Sequence, residues 1–250
     1  MAIDLTNLEE LVRNAVRLFW QSRNNASAIQ EAKGSYDVGG RAAVTAGKNM
    51  NGFVTLVRQL VTRHGLDRRV SYDCDGDTSQ QRHVTLPGYY RPTKDWDLLV
   101  VHEERLVAGF EFKSQVGSLG NNFNNRCEEA IGTAYDVWEA HRQGAFGNTS
   151  RPLLGYLMLL EDSPASRRSI PIRSNHFDVF PEFINASYAD RYGLLCRKMM
   201  RENLFDAACL ILSSPEEGIR SGYSELDKEV GIHRFAAEIA SHIAKIAALT

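Results

Sequence analysis

No apolar run in the 250 residues approaches the roughly 18 needed to span a bilayer. The amino terminus, MAIDLTNLEELVRN, carries acids where a secretory signal would carry a basic stretch. Together these absences set the expectation of a soluble, cytoplasmic protein without a membrane partner. Cysteine is scarce: Cys74, Cys127, Cys196 and Cys209 lie far apart and form no Cys-x-x-Cys pair. That removes the grounds for a zinc site or a disulfide framework and leaves buried thiols. Strong net charge is also missing, the formal value being -2 at pH 7, so the molecule as a whole gives no sign of a polyanion partner. Gly47-Lys48 does not close a phosphate-binding P-loop, because Asn49 stands where Ser or Thr is required and no glycine lies five residues before Gly47. No repeat, low-complexity tract or linker divides the chain. One domain over residues 1–250 is expected, with amino-terminal helices within 1–65, a core over about 83–213 and a closing helix over 226–249.

What is present suffices for a large core, since 43% of the residues are hydrophobic. Apolar residues at three- and four-residue spacing predict amphipathic helices over Leu8–Arg23 and Asn51–His64. Lys33–Asn51 is rich in glycine and small polar residues and is expected to be a loop. Short strands are expected within Arg69–Cys74 and Arg82–Tyr89. Leu153–Leu160 is an almost continuous apolar run, as in a strand buried on both faces. Helices over Glu128–Arg142 and Tyr188–Arg201, a strand over Ala207–Leu212 and a helix over Leu226–Leu249 complete an α/β pattern with a mixed central sheet. Charge is uneven along the chain: Arg41 to Arg69 holds six basic residues against the single acid Asp67. Such a stretch can line a DNA cleft on an otherwise acidic molecule, or be the ordinary solvated face of a helix.

The stretch Arg91–Arg126, RPTKDWDLLVVHEERLVAGFEFKSQVGSLGNNFNNR, carries the chemistry. It is expected to be a β-hairpin turning at His102–Arg105. The period of two along a strand sends Phe110 and Phe112 to one face and Glu111 and Lys113 to the other, with Asp97 brought alongside from the preceding strand. Two carboxylates and an ammonium in one cleft suit a hard divalent cation. Taken alone, Glu-x-Lys on a strand is more often a cross-strand ion pair. Tyr89, Tyr90, Arg91 and Lys94 precede Asp97 and could meet phosphates. After Lys113, the segment SQVGSLGNNFNNR, with Gln115, holds too many glycines and asparagines to be expected as regular structure. Asn121, Asn122, Asn124, Asn125 and Arg126 offer groups that pair with base edges or hold phosphates, though asparagine clusters are also turns and caps. Glu128 is expected on one side of the following helix with Ile131, Tyr135 and Trp138, either facing the site as an auxiliary ligand or favouring the helix amino terminus by charge.

Asp97, thirteen intervening residues and Glu111-Phe112-Lys113 resemble the PD-(D/E)XK nuclease signature. Trp96 replaces the signature's proline, which carries no chemistry. LPGYYRPTKDWDLLV, FEFKSQVG, GNNFNNRCEEAIGTA and VFPEFINASYADRY, spread between about Val44 and Met199, resemble the XhoI family of Type II restriction endonucleases. The resemblance implies a restriction-endonuclease-like fold and a double-stranded DNA substrate cut at the palindrome CTCGAG, after the first C, leaving 5′ overhangs. It implies Asp97, Glu111 and the backbone carbonyl of Phe112 as magnesium ligands and Lys113 as a further catalytic group. It implies DNA contacts from Arg91, Lys94, Gln115, Asn121, Asn122, Asn124, Asn125 and Arg126. A homodimer and a DNA methyltransferase of matching specificity would be the partners. Two other readings stand beside it: a repair or junction-resolving nuclease on the same fold, and a non-catalytic DNA-binding protein.

Overall fold

A computed structural model describes residues 3–32, 48–67, 70–73, 81–147 and 150–250. Its central sheet is built from β1 (Ser71–Asp73), β4 (Leu98–His102), β5 (Arg105–Gln115), β6 (Leu153–Glu161), β7 (Ala207–Ser213) and β8 (Ser224–Glu225), in the order β1-β4-β5-β6-β7-β8. A separate two-stranded antiparallel ribbon pairs β2 (Thr85–Pro87) with β3 (Thr93–Asp95). The sheet is mixed: β5–β6 and β6–β7 are parallel, whereas the β1–β4, β4–β5 and β7–β8 pairs are antiparallel. Parallel neighbours need crossovers. Helix α3 (Leu119–Arg142) carries the chain from β5 to β6, and α4 (Tyr188–Arg201) lies on the way from β6 to β7.

Alternation along the strands sorts side chains into two cores. Phe110 and Phe112 of β5, Leu157 and Leu159 of β6 and Cys209 and Ile211 of β7 face α1 (Leu8–Ala32), α2 (Asn51–Arg63) and α5 (Ile232–Ala247). Tyr156, Met158 and Leu160 of β6 and Leu210 and Leu212 of β7 face α3 and α4. The result is three layers, helices on both faces of the sheet. Close approach fixes one helix pair: a Cβ at Gly52 of α2 would lie 2.6 Å from the Ala15 Cα of α1.

The hairpin of β4 and β5 turns at Glu103 and Glu104, both at positive φ (49° and 60°), the geometry of a tight hairpin turn. Tyr188–Arg201 is a helix as expected, and Ser187 opens it with a reciprocal capping box to Asp190. Several expectations need correction. Helix α1 runs on to Ala32 instead of ending near Arg23. Most of Arg82–Tyr89 is not strand, since a 3-10 turn (Gln81–Val84) precedes the three residues of β2. The closing helix starts at Ile232 rather than Leu226, because a turn that follows β8 occupies the intervening chain and the Glu225 carboxylate accepts the Ile232 N–H at 2.7 Å. The loop expected over Lys33–Asn51 lies outside the described residues through residue 47, as do Arg41, Arg68, Arg69 and Cys74. Cys196 and Cys209 are buried and Cys127 half-buried; burial pushes the Cys196 thiol up to about 12 and the Cys127 thiol up to about 11. No described helix is long and apolar enough to cross a membrane.

Candidate active site

The register Leu98↔Phe110 between β4 and β5 sets Asp97, one residue before β4, beside Glu111 and Phe112. Trp96 anchors this corner: its ring is buried, its backbone N–H donates to the Val84 carbonyl at 2.9 Å, and the ring lies so close to Gly109 that a Cβ there would sit 3.2 Å from it. Asp97 Oδ2 accepts the backbone N–H of Phe112 at 2.7 Å and lies 3.6 Å from Lys113 Nζ. Glu111 is only 3% exposed. One of its oxygens is held by Lys113 and the other by Lys94, so both lone-pair-bearing ends of this carboxylate meet an ammonium. Lys94 also donates to the Asp95 carbonyl at 2.8 Å and stands 4.9 Å from the Trp96 ring centroid.

The two carboxyls respond differently to the same cluster. Burial, with the charge of Glu111, raises the pKa of Asp97 against the opposing pull of Lys113 and the Phe112 N–H. Burial pushes Glu111 up as well, but Lys113 and Lys94 outweigh it and hold the group below its ordinary value. Burial pulls Lys113 down, and Glu111 and Asp97 more than restore it, so its pKa is raised. The cluster is therefore a set of mutually compensating charges: two carboxylates against two ammoniums. Among the described residues, no three His, Cys, Asp or Glu side chains gather to hold a metal. The donor chemistry at Asp97 and Glu111 nevertheless fits magnesium, which takes one or two carboxylates and completes its shell with backbone oxygen, water and substrate phosphate.

Helix α3 closes the other wall. It begins at Leu119, so the asparagine string is helical, which corrects the expectation of an irregular loop. Leu119 is buried and Phe123 packs edge-on to Tyr192 at 5.1 Å, and these contacts outweigh the poor helix propensity of asparagine. Asn121, Asn124 and Asn125 are exposed at i, i+3 and i+4 on one side of the first two turns, while Asn122 donates to the Ser118 carbonyl at 2.9 Å. The expected stripe of Glu128, Ile131 and Tyr135 faces solvent; of the four, only Trp138 is buried. Glu128 thus does not line the site. Its neighbour Glu129 does, in a small cavity shared with Arg126, Ala130 and Thr133 of α3 and Glu111, Lys113 and Tyr156 of the sheet. Arg126 Nη1 donates to Glu129 Oε2 at 2.7 Å, and its buried Nε has no hydrogen-bond partner. Gln115 is buried, giving its amide N–H to the Gly117 carbonyl at 2.7 Å.

Asp136, which sequence reasoning missed, organises the approach to the site. Its buried carboxylate accepts the N–H groups of Tyr89 and Tyr90, both at 2.8 Å, and the Arg91 Nε at 2.7 Å. The loop joining β2 to β3 is thereby tied to α3, which sets where β3 delivers Lys94. Gly88 makes the approach possible, since a Cβ there would lie 2.7 Å from Asp136 Oδ2. Arg91 is fixed by this pair but keeps its side chain 42% exposed.

A mixed sheet between helical layers, with an acid at the mouth of one strand and Glu-x-Lys on the next, defines a nuclease-like site, and similarity to known proteins agrees. The family model described as restriction endonuclease XhoI matches residues 29–225. The Type II restriction enzyme BstVI of Geobacillus stearothermophilus is 45% identical over 219 residues, covering 85% of this chain and 95% of that protein. The Type II restriction enzyme XhoI of Xanthomonas vasicola is 45% identical over 201 residues (80% and 78% of the two chains), and AbrI of Azospirillum brasilense is 49% identical over 179 residues (71% and 77%). No solved structure matches the chain significantly. The chain belongs to the XhoI family of Type II restriction endonucleases. It is an endonuclease, its substrate is DNA, and membership of this class implies a divalent metal cofactor.

Proposed function

We propose that this enzyme cuts both strands of the palindrome CTCGAG after the first C, leaving 5′ overhangs, with magnesium as cofactor. The observation that carries the reading is the convergence of Asp97, Glu111 and Lys113 on one corner of the sheet in a chain of this family. Asp97, Glu111 and the backbone carbonyl of Phe112 would hold the ion. When bound, magnesium supplies polarisation of the scissile phosphate and a water of lowered pKa.

The protein's own groups do the rest. The Phe112 N–H orients Asp97, leaving its second oxygen free of that bond. Lys113, set between both carboxylates, positions the attacking water and offsets the negative charge that builds in the transition state. Asn121, Asn124, Asn125 and Arg126, on the exposed start of α3, contact the duplex together with Arg91, whose orientation Asp136 sets. Asn122 and Gln115 support them through their bonds to the Ser118 and Gly117 carbonyls. A palindrome is matched by a two-fold homodimer with one site for each strand. A methyltransferase of the same specificity would protect host DNA in the cytoplasm.

Substituting the carboxylates tests the assignment. Asp97→Asn and Glu111→Gln are each expected to lower single-turnover cleavage by at least about 1000-fold, removing a ligand of the charge-stabilising ion. Binding of a CTCGAG duplex in a gel-shift assay should persist. Wild-type cleavage by either variant would refute these roles.

A further inference from the structure

The sequence suggests that Lys94 meets a DNA phosphate, yet in the structure its ammonium lies on Glu111. We infer that Lys94 is a displaceable counter-ion that occupies Glu111 while no metal is bound and yields that oxygen when magnesium enters; this rests on the reading that Asp97 and Glu111 hold the ion.

The argument begins with burial. A carboxylate with 3% exposure must keep a partner, and Glu111 has two, one ammonium for each oxygen. Each Glu111 oxygen already accepts from an ammonium, so a cation there meets a positive charge at either end of the carboxylate, and the cluster of Asp97, Glu111, Lys94 and Lys113 is already neutral. A dication that joins it with both lysines in place adds two uncompensated charges to a buried site. One ammonium must move.

Lys113 is poorly suited to leave. It stands two residues from Glu111 on the same strand, paired there with Met158 of β6 within the central sheet, and it also faces Asp97 at 3.6 Å. Lys94 comes instead from the β2–β3 ribbon, which is no part of that sheet. Its side chain is 17% exposed, against 26% for Lys113, so what separates the two is the element that carries each and not access to solvent. The Asp95 carbonyl at 2.8 Å and the Trp96 ring at 4.9 Å offer it a resting place once Glu111 is given up. From there the ammonium is free to turn toward solvent, where a DNA phosphate would take the place of the lost carboxylate. Metal entry and a new phosphate contact are thus coupled through one side chain.

The test is magnesium binding to the full chain without DNA, by calorimetry at about pH 8, where carboxylates are ionised. Lys94→Met keeps the stem over Trp96 and removes the charge; it is expected to bind magnesium about tenfold more tightly than wild type. Lys94→Arg restores a cation and is expected to return affinity toward wild type, and Glu111→Gln to abolish binding. In the unsubstituted protein, acylation of Lys94 by an amine-reactive reagent, followed by mass spectrometry, should rise when magnesium is added while that of Lys113 does not. Unchanged affinity in Lys94→Met with binding lost in Glu111→Gln, or metal-independent labelling of Lys94, would overturn the inference alone. Wild-type binding by Glu111→Gln would place the ion elsewhere and remove both the inference and the metal assignment beneath it.

Discussion

Arg126 lines the cavity shared with Glu111 and Lys113, with its Nη1 taken by Glu129 and its buried Nε without a protein partner. A guanidinium fixed at one end and beside the reacting centre suits a phosphate oxygen better than a base edge. Arg126→Ala is therefore expected to weaken binding of cognate and non-cognate duplexes alike, by about tenfold, and to lower the salt slope of binding by about 1. Loss of discrimination at a single base pair, with unchanged salt dependence, would make Arg126 a base-reading residue instead. The acid that lines the cavity beside it is Glu129, whereas Glu128, expected either at the site or as a helix-terminus charge, is exposed. Glu128 and Glu129 are adjacent and chemically alike, and only the phase of α3, set by what Leu119, Ala130 and Ala134 bury, decides which faces the cavity.

At the scale of elements, much of the architecture was legible in the sequence. The apolar run of β6 and the capped, amphipathic α4 stand as expected because local pattern and tertiary environment agree. The hairpin too was readable, and it placed Asp97 beside Glu111 without any knowledge of distant contacts. Helix α3 was misread because asparagine's preference for turns was weighed above the spacing Leu119, Phe123, Cys127, Ala130, Ala134, which is an apolar stripe at helical period. Asp136 could not be found that way: its partners are backbone N–H groups some 46 residues away, and no local pattern announces them.

Two consequences belong to this scale. Burial raises Asp136, but the N–H groups of Tyr90 and Tyr89 and the Arg91 guanidinium outweigh it and hold the carboxyl below its ordinary value. A folded-state pKa below the unfolded one stabilises fully above the unfolded value, and the contribution disappears as pH falls through the folded one. Urea unfolding should therefore show wild type more stable than Asp136→Asn at neutral pH, with the gap closing below about pH 4; a gap independent of pH would contradict the clamp. In the hairpin turn, Glu103 and Glu104 pay for positive φ. Replacing the pair by Asn-Gly is expected to raise stability by about 1 to 2 kcal/mol in the same assay.

For the whole molecule, three layers leave one corner of the sheet lined by Asp97, Glu111 and Lys113, walled by α3, to which the Arg91 loop is tied. In the proposed arrangement each such corner cleaves one strand, and a cut through both strands at once then calls for two chains. Sedimentation equilibrium is expected to give twice the 28.0 kDa chain mass; a monomer that still cuts both strands in one binding event would argue against the two-fold arrangement. The most direct measurement is cleavage of a plasmid bearing one CTCGAG site, with magnesium and with EDTA, followed by sequencing of the product ends. One magnesium-dependent double-strand cut after the first C of that site is the expected result. Magnesium-dependent cuts at other sequences would contradict the specificity, and equal cleavage in EDTA would contradict the metal-dependent mechanism at Asp97 and Glu111.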